Sequence, residues 1–177
     1  MFENLSLLLQ VHVLGAALAL ISGAIVFLLP KGTQRHRRVA YIYVIAMLIT
    51  TGVVAFVPAT VLRFGDSGWG FFHLFILVGG VSSLVGILAL MRWRATRDPA
   101  WLRNHQIRFA FSYAGLLMAG FSQLATNPRF GMVGSLDAQQ FWVVFASVNL
   151  AILGIAMLFV QRFIMRGDPR RRYALKP

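Results

Sequence analysis

The sequence predicts an all-α integral membrane protein, a five-transmembrane-helix bundle with its N-terminus outside and its C-terminus in the cytoplasm. The first observation is composition: of 177 residues, 58% are hydrophobic and 12% are charged, and the mean hydropathy is +0.72, which is atypical of soluble domains. The second is a series of five apolar runs, each of about 20 residues or more, the length that crosses a bilayer core of roughly 30 Å. The third is the clustering of Lys and Arg between these runs.

The predicted spans, in chain order, are residues 5–29, 39–62, 71–91, 107–126 and 140–161. The first lacks the basic start and the cleavage site of a signal peptide, so we expect it to be retained. The fourth is the most polar, since it contains Arg108 and Ser112, and we expect it to be buried among the others. A basic cytoplasmic tail, 167–177, follows the fifth span and is expected to contact lipid phosphates or remain solvated. All 177 residues form a single transmembrane domain in this interpretation.

The connections between the spans set the orientation, because cationic loops resist translocation. Of the 17 Lys and Arg residues, four lie between the first two runs, five lie from the end of the third run to the start of the fourth, and six follow the fifth. Arg63 and Arg129 are the two on the other side. We therefore predict a bacterial cytoplasmic membrane protein, and we expect the basic residues behind its net charge of +12 to contact the surface of the lipid bilayer. We predict no nucleic-acid partner, since the sequence has no continuous basic face.

Two connecting segments contain turn residues. We predict turns at Gly65–Gly68 and at Asn127–Gly131, because Gly, Asn and Asp favour the backbone conformations that turns need. The longest loops are predicted at 92–106 and 127–139.

Four histidines are the main candidate site residues. His12 and His73 lie near the outer ends of the first and third runs, and His36 and His105 lie just before the second and fourth runs. Each pair is expected at one depth, because its members lie at similar distances from the ends of their runs. An intramembrane histidine is a functional hypothesis by default. The alternatives are a hydrogen bond between helices for any of the four and interfacial solvation for His36 and His105.

The chemistry open to these histidines is limited by the acidic residues, all five of which lie in loops or at span ends. Their position argues against an ion-coupled carrier and against a Ser-His-Asp hydrolase inside the bilayer. Cysteine is absent, so no thiolate site is available. Neutral imidazoles bind haem iron, zinc and copper, and two from facing helices can hold a flat macrocycle. The pattern predicts cofactor or metal ligation by His12 with His73 and by His36 with His105.

Further candidates lie on the same predicted faces. Tyr43 follows His36 by seven residues and therefore shares its face, where its phenol contacts a cofactor or fills a polar gap. Arg108 pairs with an anionic group such as a haem propionate, or acts as a snorkelling anchor. Small residues near His12 and His73 predict either close helix packing or a groove for a cofactor. They are Gly15, Ala16, Ala19, Ser22 and Gly23 in the first span and Gly79, Gly80, Ser83 and Gly86 in the third.

The order of these histidines along the spans resembles that of transmembrane di-haem cytochromes of the ascorbate-reducible type. That resemblance covers about residues 10–125 and implies bis-His haem sites at His12 with His73 and at His36 with His105. Short stretches of the sequence are similar to those of uncharacterised bacterial multi-span membrane proteins that share a domain of unknown function. That resemblance implies the fold and the location only. The stretches concerned are His12-Val13-Leu14-Gly15, Ala19-Leu20-Ile21-Ser22-Gly23, His36-Arg37-Arg38-Val39-Ala40-Tyr41-Ile42-Tyr43, and His105 with Ser112-Tyr113.

The functional prediction is a membrane-embedded protein with one or two haem b groups that moves electrons between quinol, or another small carrier, and an acceptor. If it is an enzyme, it is a membrane oxidoreductase. One alternative is a zinc or copper site made from the same histidines. The other is a cofactor-free structural or lipid-interacting protein whose histidines only join helices.

Overall fold

Five helices make up the described part of the chain, residues 6–59, 63–126 and 136–167 of a computed structural model. They are α1 (Leu7–Leu28), α2 (Gln34–Val54), α3 (71–96), α4 (Pro99–Thr126) and α5 (Ala138–Phe159, continued as a π-helical segment Val160–Met165). The prediction of five helices in an all-α fold is confirmed for these residues. Three of the helices, Leu7–Leu28, Gln34–Val54 and Ala138–Met165, are long and apolar enough to cross a membrane.

Two helices begin earlier than the apolar runs that predicted them. The hydroxyl of Thr33 caps α2 by accepting a hydrogen bond from the backbone N–H of His36 (3.2 Å), so this histidine lies in the first turn and not before the helix. α4 begins at Pro99, a residue suited to a first helical position, and the preceding Asp98 accepts from the backbone N–H of Ala100 (2.9 Å). His105 therefore lies inside α4. Hydropathy missed both starts because these turns are basic but still helical.

The connections are shorter than predicted on one side. Segment 92–106 was predicted as a loop, yet it is helical except at Arg97 and Asp98; Arg97 ends α3 in the left-handed conformation (φ 58°). The predicted turn at Gly65–Gly68 is confirmed, and both of these glycines have positive φ, 56° and 75°, which glycine adopts without steric penalty. The predicted turn at Asn127–Gly131 and most of the basic tail, 168–177, lie outside the described residues.

Neighbouring helices run antiparallel, as their contacts show. A Cβ at Gly15 would meet Thr50 and one at Gly23 would meet Tyr43, which pairs α1 with α2. In the same way His105 reaches Gly86 between α4 and α3, and Arg103 donates to the carbonyl of Gly167 at the end of α5. The ends of α1, α3 and α5 and the starts of α2 and α4 therefore share one end of the bundle. We call it the basic end, because the cationic segments near 31–38, 92–103 and 162–166 lie there.

The outer surface of the bundle is apolar. Leu14, Ile21, Leu150, Ile155 and Leu158 are each between 61% and 68% exposed, whereas the core is small and includes Ala19, Ala46 and Ala89. Soluble monomers rarely expose contiguous apolar patches of large size. The surface therefore agrees with the apolar composition of α1, α2 and α5.

α3 is irregular where it packs most closely on its neighbours. It begins as a 3-10 turn (Phe71–His73) and a short α segment (Leu74–Ile76), continues as a π-helical segment (Leu77–Val81), and becomes regular at Ser82–Thr96. Within the π segment Gly79 lies against Gly115 of α4: a Cβ built on Gly115 would stand 2.9 Å from the Gly79 backbone nitrogen. Contact with backbone leaves little room for adjustment, so this crossing requires glycine.

We expect Gly115→Ala to lower the free energy of unfolding by about 1–3 kcal/mol, the usual effect of overpacking a closely packed site. Gly120→Ala is the matched control in the same helix, since a Cβ there would meet nothing within 4 Å. Thermal unfolding of the detergent-solubilised protein measures both. Equal midpoints for the two variants would contradict the close approach of α3 and α4.

Candidate functional site

His36 and His105 line one cavity at the basic end. The cavity has a volume of about 90 Å³ and is partly open to the outside of the bundle. Its walls come from the end of α1, the first turns of α2 and α4, and the end of α5. Besides the two imidazoles, the polar lining residues are Lys31, Tyr43 and Gln106. Tyr43 therefore shares the face of His36, as the seven-residue spacing predicted. We call this space the His36–His105 cavity.

The imidazole of His105 has a defined hydrogen-bonding state. Its Nδ1 lies 2.9 Å from the carbonyl oxygen of Gly86 in α3. A carbonyl oxygen can only accept, so Nδ1 carries the hydrogen and Nε2 carries the lone pair of the neutral ring. The ring also packs against Phe109, one turn further along α4, with centroids 4.8 Å apart. These two contacts fix both the orientation and the tautomer of His105.

His36 is held both by its backbone and by its ring, which interacts with the backbone of Val26 in α1. The Thr33 cap sets the start of α2, while Nδ1 of the imidazole is buried and has no hydrogen-bond partner among the residues described. Buried polar atoms are nearly always paired in proteins, so the unpaired Nδ1 of His36 is an exception in this part of the bundle. The same end of α1 is closed by Lys31, whose ammonium donates to the carbonyls of Val26 (2.6 Å) and Phe27 (3.0 Å).

A buried chain of hydroxyls leads from the cavity wall into the bundle. The hydroxyl of Tyr43 lies 2.7 Å from that of Ser112, which in turn lies 2.6 Å from the hydroxyl of Ser83. Ser83 donates to the carbonyl of Gly79 (3.0 Å) in the π segment. Ser83 and Ser112 are fully buried. Sequence reasoning noted these side chains separately but missed the chain, because only the rotation of α2, α3 and α4 brings them together.

His12 and His73 make separate contacts with α2 and with the chain that follows it. Nδ1 of His12 lies 3.1 Å from the carbonyl oxygen of Thr50. His73 accepts from the N–H of Gly70 at Nδ1 (3.1 Å), and its Nε2 lies 3.0 Å from the carbonyl oxygen of Val57. The two carbonyl groups that these rings contact, those of Thr50 and Val57, lie seven residues apart along the chain. The contact of His12 is the hydrogen bond between helices that is the alternative to ligation, whereas His73 bonds to residues that lie outside the helices.

Arg108 lies outside the cavity. Its side chain is exposed, and its Nε donates to the side-chain oxygen of Asn104 (3.2 Å) on the same helix. This position agrees with the anchoring role of an interfacial arginine. Its predicted pairing with a haem propionate stays a prediction.

Protein side chains pack against the small residues of α1 and α3 that were predicted to line either a helix contact or a cofactor groove. Gly15 faces Thr50, Gly23 faces the ring of Tyr113, and Gly86 faces the ring of Phe109. Gly79 faces Met47. Of the two interpretations of these small residues, close helix packing is the one that the contacts show.

Haem fits neither histidine pair with the helices packed in this way. Both nitrogens of His73 are engaged, one as acceptor and one as donor, so no lone pair remains for iron. At His36 and His105 the donors suit iron, but about 90 Å³ is well below the roughly 300–1,000 Å³ of sites for larger ligands. Haem ligation by His12 with His73, or by His36 with His105, stays a prediction from sequence.

A single metal ion places different demands on the site. The bond from His105 to a backbone carbonyl is the arrangement that metal-bound histidines typically have. Among residues 6–59, 63–126 and 136–167, however, no three His, Asp or Glu side chains come together as a metal-binding group. A zinc or copper ion in the His36–His105 cavity would need water or another donor to complete its coordination.

Comparison with known proteins gives no indication of the function of this chain. The chain matches no family model, no curated protein and no solved structure.

Proposed function

We propose that this protein is an integral membrane protein that binds the ring of a quinone or quinol in the His36–His105 cavity, in the service of electron transfer. The observation that carries the proposal is the meeting of two imidazoles from different helices in one small apolar space. Binding sites for small molecules are concave and mostly apolar, with a few converging polar groups. The cavity has this character, since His36 and His105 supply polar atoms while Phe27, Phe109 and Phe159 supply aromatic walls.

The cavity holds part of a single ring. Its volume of about 90 Å³ is below the roughly 150 Å³ of a closed cavity that binds benzene, so a substituted ring fits by extending through the open side. The aromatic walls suit a flat ligand, because rings prefer stacked and edge-on contacts. Since the cavity is partly open, an isoprenoid tail can leave it for the surrounding lipid.

A second candidate is a zinc or copper ion held by the same two imidazoles. The tautomer of His105 favours it, because a hydrogen bond from Nδ1 to a carbonyl leaves Nε2 available as a ligand. It differs from the first candidate in needing no aromatic walls.

One preparation separates these proposals from haem binding and from a cofactor-free scaffold. The protein purified in lipid nanodiscs is examined by visible absorption and metal analysis, and then titrated with a short-tailed benzoquinone by calorimetry. We expect saturable binding near one ring per chain. A Soret band that shifts on reduction would indicate haem, and one zinc or copper per chain without colour would indicate the metal site. Absence of all three signals would leave the scaffold and contradict the proposed function.

The bundle lies in a bacterial cytoplasmic membrane with the basic end in the cytoplasm, in this proposal. The charge distribution supports that orientation, because short cationic segments stay on the cytoplasmic side. The natural chain has no cysteine, so single cysteines report on sidedness without background. We expect Ser67→Cys to react with an impermeant maleimide in intact cells and Ala95→Cys to react only after permeabilisation. Both positions are exposed, and the reverse labelling pattern would contradict the orientation.

A further inference from the structure

In the cavity wall, the hydroxyl hydrogen of Tyr43 and the ring hydrogen of His105 are donated to other groups of the protein. We infer that the His36–His105 cavity selects the reduced, hydroxyl-bearing ring over the oxidised, carbonyl-bearing ring. The inference rests on the proposed function and adds to it the redox state of the bound ligand. It depends on which wall atoms donate and which accept.

The direction of the hydroxyl chain is set by its last member. The Gly79 carbonyl can only accept, so the hydrogen of Ser83 points to it. The Ser83 oxygen is then the acceptor for Ser112, and the Ser112 oxygen is the acceptor for Tyr43. Tyr43 therefore directs its one hydroxyl hydrogen into the bundle and away from any ligand in the cavity.

The ring hydrogen of His105 is also donated within the protein. Its single ring hydrogen lies on Nδ1 and is donated to Gly86, so Nε2 can only accept from a neutral ligand. The ammonium of Lys31 donates two of its three hydrogens to carbonyls of α1. The ring of His36 interacts with the backbone of Val26, and its Nδ1 is buried without a partner among the described residues.

A quinol and a quinone differ in what they need from such a wall. Each quinol hydroxyl can donate to an acceptor, whereas a quinone carbonyl needs a donor. Placing a carbonyl beside the lone pair of His105 Nε2 leaves two acceptors facing each other, and buried polar groups without partners are strongly disfavoured. We expect the quinol to bind at least about tenfold more tightly. A tenfold preference raises the midpoint potential of the bound two-electron couple by about 30 mV.

The test compares three ligands on the full chain in nanodiscs under anaerobic conditions. They are a short-tailed benzoquinone, its quinol, and the dimethyl ether of that quinol, which keeps the ring but has no hydroxyl hydrogen. We expect the quinol to bind at least about tenfold more tightly than either of the others. Equal affinities for quinol and quinone, or a preference for quinone, would overturn the inference while leaving ring binding intact. Failure of all three to bind would overturn the proposed function itself.

One substitution assigns the preference to His105. In His105→Gln the side-chain amide presents either an N–H or a carbonyl to the ligand, so we expect the ratio of quinol to quinone affinity to fall to within about threefold. His12→Gln is the matched control, because His12 also bonds a helix carbonyl but lies outside the cavity, and its ratio should stay as in the wild type. An unchanged ratio in a folded His105→Gln would overturn the role assigned to Nε2.

Discussion

His105→Asn should strongly weaken ring binding while the helices stay folded. The amide nitrogen of asparagine takes the place of imidazole Nδ1, so the hydrogen bond to the carbonyl of Gly86 can persist. Asparagine has no atom at the position of Nε2, and the ligand loses its acceptor in a mostly apolar cavity. We expect the affinity for the quinol to fall by tenfold to a hundredfold, corresponding to about 1–3 kcal/mol for a buried polar group left without a partner. Calorimetry in nanodiscs measures the loss.

His12→Asn is the control for this change. His12 also places Nδ1 against a helix carbonyl, that of Thr50, but it does not line the cavity. Its affinity for the ring should match that of the wild type. A larger loss in His12→Asn than in His105→Asn would move the site to the end of the bundle opposite the basic end and contradict the account.

Ser112→Ala should be among the most destabilising single changes in the core. Ser112 is fully buried and is the middle member of the chain from Tyr43 to Ser83. Alanine leaves the tyrosine hydroxyl without its acceptor, and a buried polar group without a partner costs about 1–3 kcal/mol. Thermal unfolding in detergent should show a clearly lowered midpoint.

The control for Ser112→Ala is Ser22→Ala. Ser22 is also buried, but its hydroxyl donates to the Leu18 carbonyl of its own helix (2.6 Å), a bond that stabilises helices little. We expect a change within about 0.5 kcal/mol. A double-mutant cycle of Ser112→Ala with Tyr43→Phe should give a coupling energy of about 0.5–3 kcal/mol, and strict additivity would show that the hydroxyls do not interact.

The helices were predictable from sequence because apolar runs of membrane length are a strong signal. Their starts were not, since α2 and α4 begin in basic turns that hydropathy assigns to loops. What defines those starts is local: the Thr33 cap and the Asp98-Pro99 pair. His36 and His105 consequently lie within regular helices. The spacing of apolar residues in the sequence did not predict the irregular course of α3 through the π segment Leu77–Val81.

The site was predictable only in part. Position along the runs placed His36 and His105 at one end, and the structure has both lining the same cavity; their role as ligands stays a prediction. Position could not show that both nitrogens of His73 meet backbone groups, because that depends on how the chain turns after α2. Nor could it show the Tyr43–Ser112 contact, which depends on helix rotation.

The central claim is that a redox ring lies between His36 and His105. Photolabelling with a short-tailed azidobenzoquinone in nanodiscs, followed by peptide mapping, tests it most directly. The account predicts label on peptides containing Phe27, His36 or Phe109, all from the cavity wall, with competition by unlabelled quinol. Label that concentrates around His12 and His73, or that spreads over the exposed apolar faces without competition, would contradict it.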